Sequence, residues 1–397
     1  MITLTLPQAH RLLRQHAAPT PSETVPLEQA LGRVPTLPIR ARLPVPSFPQ
    51  SCRDGYALRS RDTDNGAQAL KIMGEIAAGR TCPATRIKSG EAYRIMTGGA
   101  LPPGADSIIA YERLEREARD HIVVSATYPP GRHIRSTGSD LRKNQIIVSP
   151  GQRVAADHLP LLATAGVSEL MVHARPRVGL LCTGSELLED TGETPLPGSL
   201  ISGNRFLLAA LIRQAGAIPQ DLGTVGDDSG AIAAALQVGR EEKGLDIIIS
   251  TGGMGPGKYD LVGRALDELQ GQVLYHELKL RPGRATMAAL LGRTVFFGLP
   301  GPPPAVHLLF HLLAAPTIEW MGGMRESRPK PLKAHLIAPI NLRQGGITQL
   351  KGAVLSAENG RLQVRLAAFN EVINAVIMVP ARRRHFATNE LVRVHPL

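Results

Sequence analysis

Four short segments carry the residues best suited to chemistry: Cys182-Thr-Gly-Ser-Glu186, Gly226-Asp227-Asp228, Ser250-Thr-Gly-Gly-Met-Gly-Pro-Gly257 and Leu299-Pro-Gly-Pro-Pro303. Several combine a glycine turn with a following helical pattern, which leaves backbone N–H groups pointing at an anion. For any single loop a plain tight turn is the favoured reading. Four of them on one edge shift the balance toward a phosphate-bearing ligand. Glu186, Asp227 and Asp260 each follow an expected strand, and carboxylates in such a cleft suit magnesium, which bridges carboxylates and phosphates. The competing reading makes each a helix N-cap. Arg281-Pro-Gly-Arg284 places two guanidiniums around a turn, suited to bidentate oxyanion contacts or to a solvated surface turn. Gly252-x4-Gly257-Lys258 falls one residue short of a P-loop, because Tyr259 stands where Ser or Thr would ligate magnesium and Pro256 removes an amide. A nucleoside triphosphatase of that class is therefore the weaker alternative.

These loops need a framework, and the texture of the chain supplies one. Residues 176–325 alternate strands (RVGLLC, DIIIS, TVFFG) with helices, which predicts a doubly wound, mostly parallel α/β domain. Ligands of such sheets bind beyond the carboxyl ends of the strands, where the four loops fall. TGSELL is expected to turn into a helix. Residues 46–140 read as a small β-rich domain inserted into a mostly helical one made of 1–45 and 141–175, with helices around Ala9–Leu13, at Leu27–Val34 and at HLPLLATAGV. Residues 326–397 return to short strands and predict a C-terminal β-domain. The fold class is thus α/β and multidomain.

Composition narrows the partners. Of 397 residues, 43% are hydrophobic and 20% charged, ordinary globular usage that excludes a disordered chain. Aromatic content of 4% argues against stacking platforms for single-stranded nucleic acid. The longest apolar run, within 306–320, is broken by His307, His311, Pro316 and Glu319, so no membrane span is expected. The first residues lack the order of a signal peptide. Cys52, Cys82 and Cys182 show no paired spacing, so a cytoplasmic protein with buried thiols is expected. The net charge of +11 favours anionic partners.

Taken in order, the motifs resemble the molybdopterin molybdenumtransferase family, which includes MoeA and the gephyrin E domain. The family's Ser-Ala-Met-Asp-Gly-Tyr-Ala corresponds to Ser51-Cys-Arg-Asp54-Gly-Tyr-Ala57, and its Met-Thr-Gly segment to Met96-Thr97-Gly-Gly-Ala-Leu-Pro-Pro-Gly-Ala-Asp106. Ile134-Arg135-Ser-Thr-Gly-Ser139-Asp140, Cys182-Thr-Gly-Ser-Glu186-Leu187, Asn204 and Gly252-Gly-Met-Gly-Pro-Gly-Lys-Tyr-Asp260 follow. The resemblance implies four domains per subunit and an elongated homodimer with its cleft between subunits. It also implies a reaction in which molybdate and adenylylated molybdopterin give the molybdenum cofactor and AMP with Mg2+, the substrate being supplied by a molybdopterin adenylyltransferase. Asp54, Thr97, Glu186, Asp227 and Asp260 would be catalytic, the last three holding magnesium. Thr183, Gly184, Ser185, Asn204, Ser250, Gly252, Gly253, Arg281, Arg284, Pro300 and Gly301 would bind pterin or oxyanion.

Departures cluster in the same motifs. Lys-Pro-Gly-Lys-Pro is Arg281-Pro-Gly-Arg284-Ala285, Pro-Gly-Asn-Pro-x-Ser is Pro300-Gly-Pro302-Pro-Pro-Ala305, and Met254-Gly255 replaces Val-Ser. Two neutral donors are lost, and the arginines are expected to compensate by gripping the oxyanion with forks. The alternatives are a non-catalytic or tungsten-handling paralogue that binds or delivers the pterin, and nucleic-acid binding through the basic run Arg382–His385.

Overall fold

The computed structural model describes residues 2–397 apart from 65–67, 81, 189–191, 193, 256–260, 328–330, 344 and 369–370. The α/β unit is built on a six-stranded sheet in the order Ile218–Val225, Arg177–Thr183, Ile247–Thr251, Thr294–Leu299, Met287–Leu291, Gln272–Tyr275. The first four strands are parallel, Met287–Leu291 runs antiparallel to them, and Gln272–Tyr275, antiparallel to that strand, resumes the first direction. Because successive strand residues face opposite sides, Ile247 and Ile249 point into one layer and Ile248 into the other. The first layer holds helices Gly203–Gln214 and Pro303–Leu309, and the second holds Ser229–Gln237 and Leu261–Glu268. Apolar runs buried on both faces are what a covered parallel sheet requires.

Helix Leu6–His16 starts with a capping box, the Thr5 amide donating to Gln8 Oε1 at 2.9 Å. Its buried Leu6, Ala9 and Leu13 join the core of the α/β layer. The expected helix at Leu27–Val34 is a single 3-10 turn, Leu27–Gln29, preceded by the strand Ser22–Pro26. That strand pairs antiparallel with Glu169–His173, and Ile39–Arg40 pairs with Ile146–Val148. Pairing partners some 150 positions apart override the local helical pattern. Helix His158–Thr164 forms as expected.

Residues 46–140 contain a six-stranded mixed sheet in the order Ser107–Ala110, Gly55–Leu58, Glu91–Ile95, Gln68–Ile76, His121–Val124, Arg116–Glu117. In the C-terminal region five strands, Thr348–Glu358, Arg361–Leu366, Leu332–Leu336, Leu391–Pro396 and Ala375–Val379, close on themselves through the pairing of the first with the last. The short strand Leu280–Arg281 of the α/β unit adds to this barrel beside Thr348 and Gln349.

Candidate functional site

The carboxyl ends of the four parallel strands put Thr183, Val225, Thr251 and Leu299 on one edge. A cavity of about 360 Å³ opens there, lined by Thr183, Glu186, Leu187, Leu200, Ile201, Ser202, Gly203, Asn204, Thr251, Gly252, Gly301, Pro302 and Pro303. Three of the four glycine loops contribute to its lining, and Gly226-Asp227-Asp228 does not.

Local chemistry explains the shape. Gly252 has φ +91°, and a Cβ there would lie 2.3 Å from the Thr183 carbonyl oxygen and 2.9 Å from its hydroxyl. Only glycine lets the two strand ends approach so closely. Thr183 Oγ1 donates to the Thr251 carbonyl at 3.2 Å, joining the neighbouring strands. Gly184 leaves room for the Glu186 carboxylate, whose Oε2 lies 2.6 Å from where a Cβ would sit.

Two helices begin at the cavity without a side-chain cap. Ser202 is the N-cap of Gly203–Gln214, and Pro302 that of Pro303–Leu309. Uncapped N-terminal amides with the positive end of the dipole form an anion-binding feature. The second helix has proline in its first turn and so offers fewer donors; the first supplies them. Asn204 clasps the two together, its Nδ2 donating to the Gly301 carbonyl at 2.7 Å. Among the described residues its Oδ1 is buried without a hydrogen-bond partner, as are Ser202 Oγ, Ser250 Oγ and Thr251 Oγ1. Such buried groups cost free energy unless a partner arrives; others lie far from the cavity, at Ser107, Tyr275 and Trp320 for example, but only here do three of them, on Ser202, Asn204 and Thr251, belong to described residues that line one cavity.

Glu186 does not cap a helix. TGSELL is a loop followed by the strand Leu187–Leu188, which pairs in parallel with Leu200–Ile201. Asp228, not Asp227, caps Ser229–Gln237, accepting from the Ala231 amide at 2.9 Å. Asp227 instead exchanges bonds with Ser185: its amide donates to Ser185 Oγ at 2.9 Å, and the Ser185 amide donates to its Oδ2 at 3.3 Å. The N-cap reading of both carboxylates thus fails, and both stand exposed at the edge. Asp260 and the Pro256–Tyr259 part of the glycine loop lie outside the described residues.

The remaining expected residues are distributed elsewhere. Asp54 and Thr97 are bonded to each other: Asp54 Oδ1 accepts from the Thr97 amide at 2.6 Å and from its hydroxyl at 2.8 Å. Those bonds, led by the backbone one, hold the Asp54 carboxyl below its ordinary range. No residue of 46–140 lines the cavity of the same chain. Arg281 and Arg284 do not line it either. Arg284 Nε lies 3.4 Å from Glu277 Oε2, while Arg281 sits on the strand that joins the barrel. Gly253, Gly184, Ser185, Ser250 and Pro300 flank the cavity in sequence without lining it.

Ser202 and Thr251 line the cavity and were missed from sequence. The available signal was strand phase: adjacent residues face opposite ways, so Ser250 and Thr251 cannot share one face. Ser202 stands immediately before the helix, the N-cap position that serine favours. Among the described residues no group of three His, Cys, Asp or Glu could hold a metal unaided.

Comparison with known proteins agrees with this architecture. Residues 4–166 match the family model of the MoeA N-terminal region (domain I and II), and residues 179–320 match a probable molybdopterin binding domain. The chain is 32% identical to molybdopterin molybdenumtransferase 2 of Mycobacterium tuberculosis, covering 89% of this chain and 85% of that protein. It is 29% identical to the molybdopterin molybdenumtransferase of Haemophilus influenzae over 99% of this chain and 98% of that one. The solved structure of a molybdopterin biosynthesis MoeA protein from Pyrococcus horikosii superposes with a TM-score of 0.84 at 26% identity, covering 99% of both chains. With its loops, cavity and relatives in agreement over nearly the full length, the chain belongs to the molybdopterin molybdenumtransferase family.

Proposed function

We propose that this chain is a transferase of molybdenum cofactor biosynthesis that inserts molybdate into adenylylated molybdopterin and releases AMP. The observation that carries this reading is a set of buried atoms, Ser202 Oγ, Asn204 Oδ1 and Thr251 Oγ1, unpartnered among the described residues and placed around a cavity at the strand ends. That cavity lies in the region similar to a probable molybdopterin binding domain. A pterin presents both donors and acceptors, and a phosphate tail suits the uncapped amides of Gly203–Gln214.

Most of the catalytic effect expected of such a site is positioning and charge neutralisation. The Gly203–Gln214 amides hold the anionic tail, and Asn204 orients the pterin while fixing the loop that carries Gly301. Thr183 and Gly252 set the separation of the two strand ends. Magnesium keeps several waters and takes one or two carboxylates together with substrate phosphates, so the oxygen donors of Glu186 and Asp227 fit it without a third protein ligand. They would hold the ion, with Asp260 as a further candidate, and it would neutralise phosphate charge. Asp54, held ionised by Thr97, would act from a second copy of the chain in a homodimeric cleft. Arg281 and Arg284 would serve the oxyanion. A cytoplasmic location goes with the reading; among the described residues no helix is long and apolar enough to cross a membrane.

The nucleic-acid alternative is not favoured. Arg383 of the basic run is paired to Glu390 at 2.5 Å and stacked over Phe386 at 4.2 Å. The deciding experiment supplies molybdate, adenylylated molybdopterin and magnesium, and follows AMP release with metal insertion. Both should occur with the parent chain and be abolished by Asp260→Ala. Pterin binding without AMP release would make the chain a non-catalytic binder instead. Light scattering should report a dimer, and a monomer at micromolar concentration would remove the shared cleft.

A further inference from the structure

The helical segment that begins at Pro303 on the cavity rim continues through a π-helical turn, Phe310–Ala314, to Met321. The widened turn leaves the Leu312 carbonyl available, and His10 Nε2 takes it at 2.7 Å. Such turns recur at functional positions. On this segment His307 and His311 are four residues apart, the spacing that puts side chains on one helix face. Their rings stand edge to face, with centroids 4.9 Å apart and planes at 78°. Among the described residues these rings contact each other, and His311 contacts Phe310, but neither forms a hydrogen bond.

His311 opens on a cavity of about 420 Å³, shared with Gln214, Glu319, Ser327 and His395. Glu319 is engaged by Arg153 at 2.9 Å. Desolvation pushes His307 below the ordinary histidine range, and desolvation with the neighbouring His307 takes His311 down to about 4.

We infer that His307 and His311 form a two-histidine site for a borderline divalent transition metal, copper(II) foremost, with cavity water completing its coordination. Distance supports it: a metal held at ~2 Å by one nitrogen of each ring keeps imidazole centroids about 4.5 Å apart at the 90° of tetragonal copper(II) and about 5 Å apart at a tetrahedral angle, and the observed 4.9 Å lies in that range. Imidazole pairs suit copper, nickel and zinc, and affinity rises toward copper. Magnesium prefers oxygen ligands, so the pair is chemically separate from the Glu186 and Asp227 edge. With two protein ligands only, the ion exchanges with solvent and keeps open positions.

The test titrates the purified full chain with copper(II), nickel(II) and zinc(II) chlorides, with magnesium(II) chloride as competitor. One equivalent of copper should bind, more tightly than nickel or zinc, and magnesium should not displace it. Electron paramagnetic resonance of the copper-loaded parent should show hyperfine coupling to two imidazole nitrogens, a readout that needs no variant to fold. His307→Gln and His311→Gln should each weaken copper binding at least tenfold. No uptake by the parent, a spectrum without that coupling, or unchanged uptake in both variants would overturn the assignment.

Discussion

The turn around Asp54 and the strand-end edge of the α/β unit both carry motifs legible in the sequence, yet their polar groups are spent differently. At Asp54 the carboxylate, the Thr97 amide and the Thr97 hydroxyl satisfy one another. Nearby, Tyr56 donates to Glu117 at 2.7 Å, and Arg94 bonds both of them. At the strand ends Ser202, Asn204 and Thr251 retain buried atoms with no partner among the described residues. A closed network rigidifies a turn and presents one ionised group; an open one waits for a ligand. The difference separates a residue that is aimed from residues that bind.

The sharpest way to break this distinction is to fill the open edge. In Gly252→Ala the new Cβ would meet the Thr183 carbonyl at 2.3 Å, in a backbone conformation at φ +91° that side chains rarely adopt. Displacing reacting groups by an ångström costs about 100-fold in rate. A loss of that order in kcat/KM for molybdate insertion is expected. Gly360→Ala provides the control, since Gly360 also has positive φ but its Cβ would meet nothing within 4 Å. It should keep parental activity while losing some stability. A Gly252→Ala variant with parental kcat/KM would show that chemistry does not depend on this edge.

A third arrangement, the half-buried His311 beside His307, is tested by pH. His311 titrates at about 4 in the folded chain against about 6.5 when unfolded. Between those values the unfolded chain binds more protons, so stability is full above pH 6.5 and falls as pH drops toward 4. The loss attributable to His311 is on the order of 2 kcal/mol after allowance for residual solvent screening. Chemical denaturation of the parent and of His311→Leu at pH 7.5 and pH 4.5 measures the differential slope. Equal slopes would mean that the ring is solvated.

The next effect is smaller. Removing the Asn204 amide in Asn204→Ala breaks its bond to the Gly301 carbonyl and deletes the waiting acceptor. A net hydrogen bond is worth about 1 kcal/mol, so roughly a fivefold rise in the Kd for pterin substrate is expected, with little change in melting temperature. Unchanged affinity would reduce Asn204 to a loop tether.

How much of this was legible in the sequence follows from range. Apolar runs such as DIIIS and TVFFG announce buried strands at Ile247–Thr251 and Thr294–Leu299 because their neighbours in space share the same pattern. Their glycine loops then place themselves at the carboxyl edge by topology alone. TGSELL misleads because Leu187–Leu188 pairs with Leu200–Ile201, a partner outside any local window, after a glycine at φ +148°. Leu27–Val34 misleads likewise, since the strand before it is claimed by Glu169–His173. At the site, residue types were visible but their partners were not: nothing in Gly226-Asp227-Asp228 tells which aspartate caps the helix and which meets Ser185.

The smallest effect concerns the two arginines, where the expected compensation for the neutral donors lost at Pro302 and Ala305 can be divided. Arg284 is 74% exposed at its side chain and faces Glu277; exposed ion pairs of this kind contribute only ~0–1 kcal/mol. Part of its charge is cancelled before any oxyanion arrives. Arg281 lies on Leu280–Arg281, a strand held by Thr348 and Gln349 of the barrel, so its backbone is fixed relative to the Pro282-Gly283 turn. A fork on a fixed backbone can hold two oxygens of a tetrahedral oxyanion where an ammonium holds one. Arg281→Lys should therefore weaken molybdate binding about threefold to tenfold, and Arg284→Lys less than about twofold. Molybdate binding to the parent should weaken with added salt. Calorimetry at two salt concentrations on the parent and both variants separates the contributions. Tighter binding in either lysine variant, or a parent insensitive to salt, would mean that the arginines do not replace the lost donors.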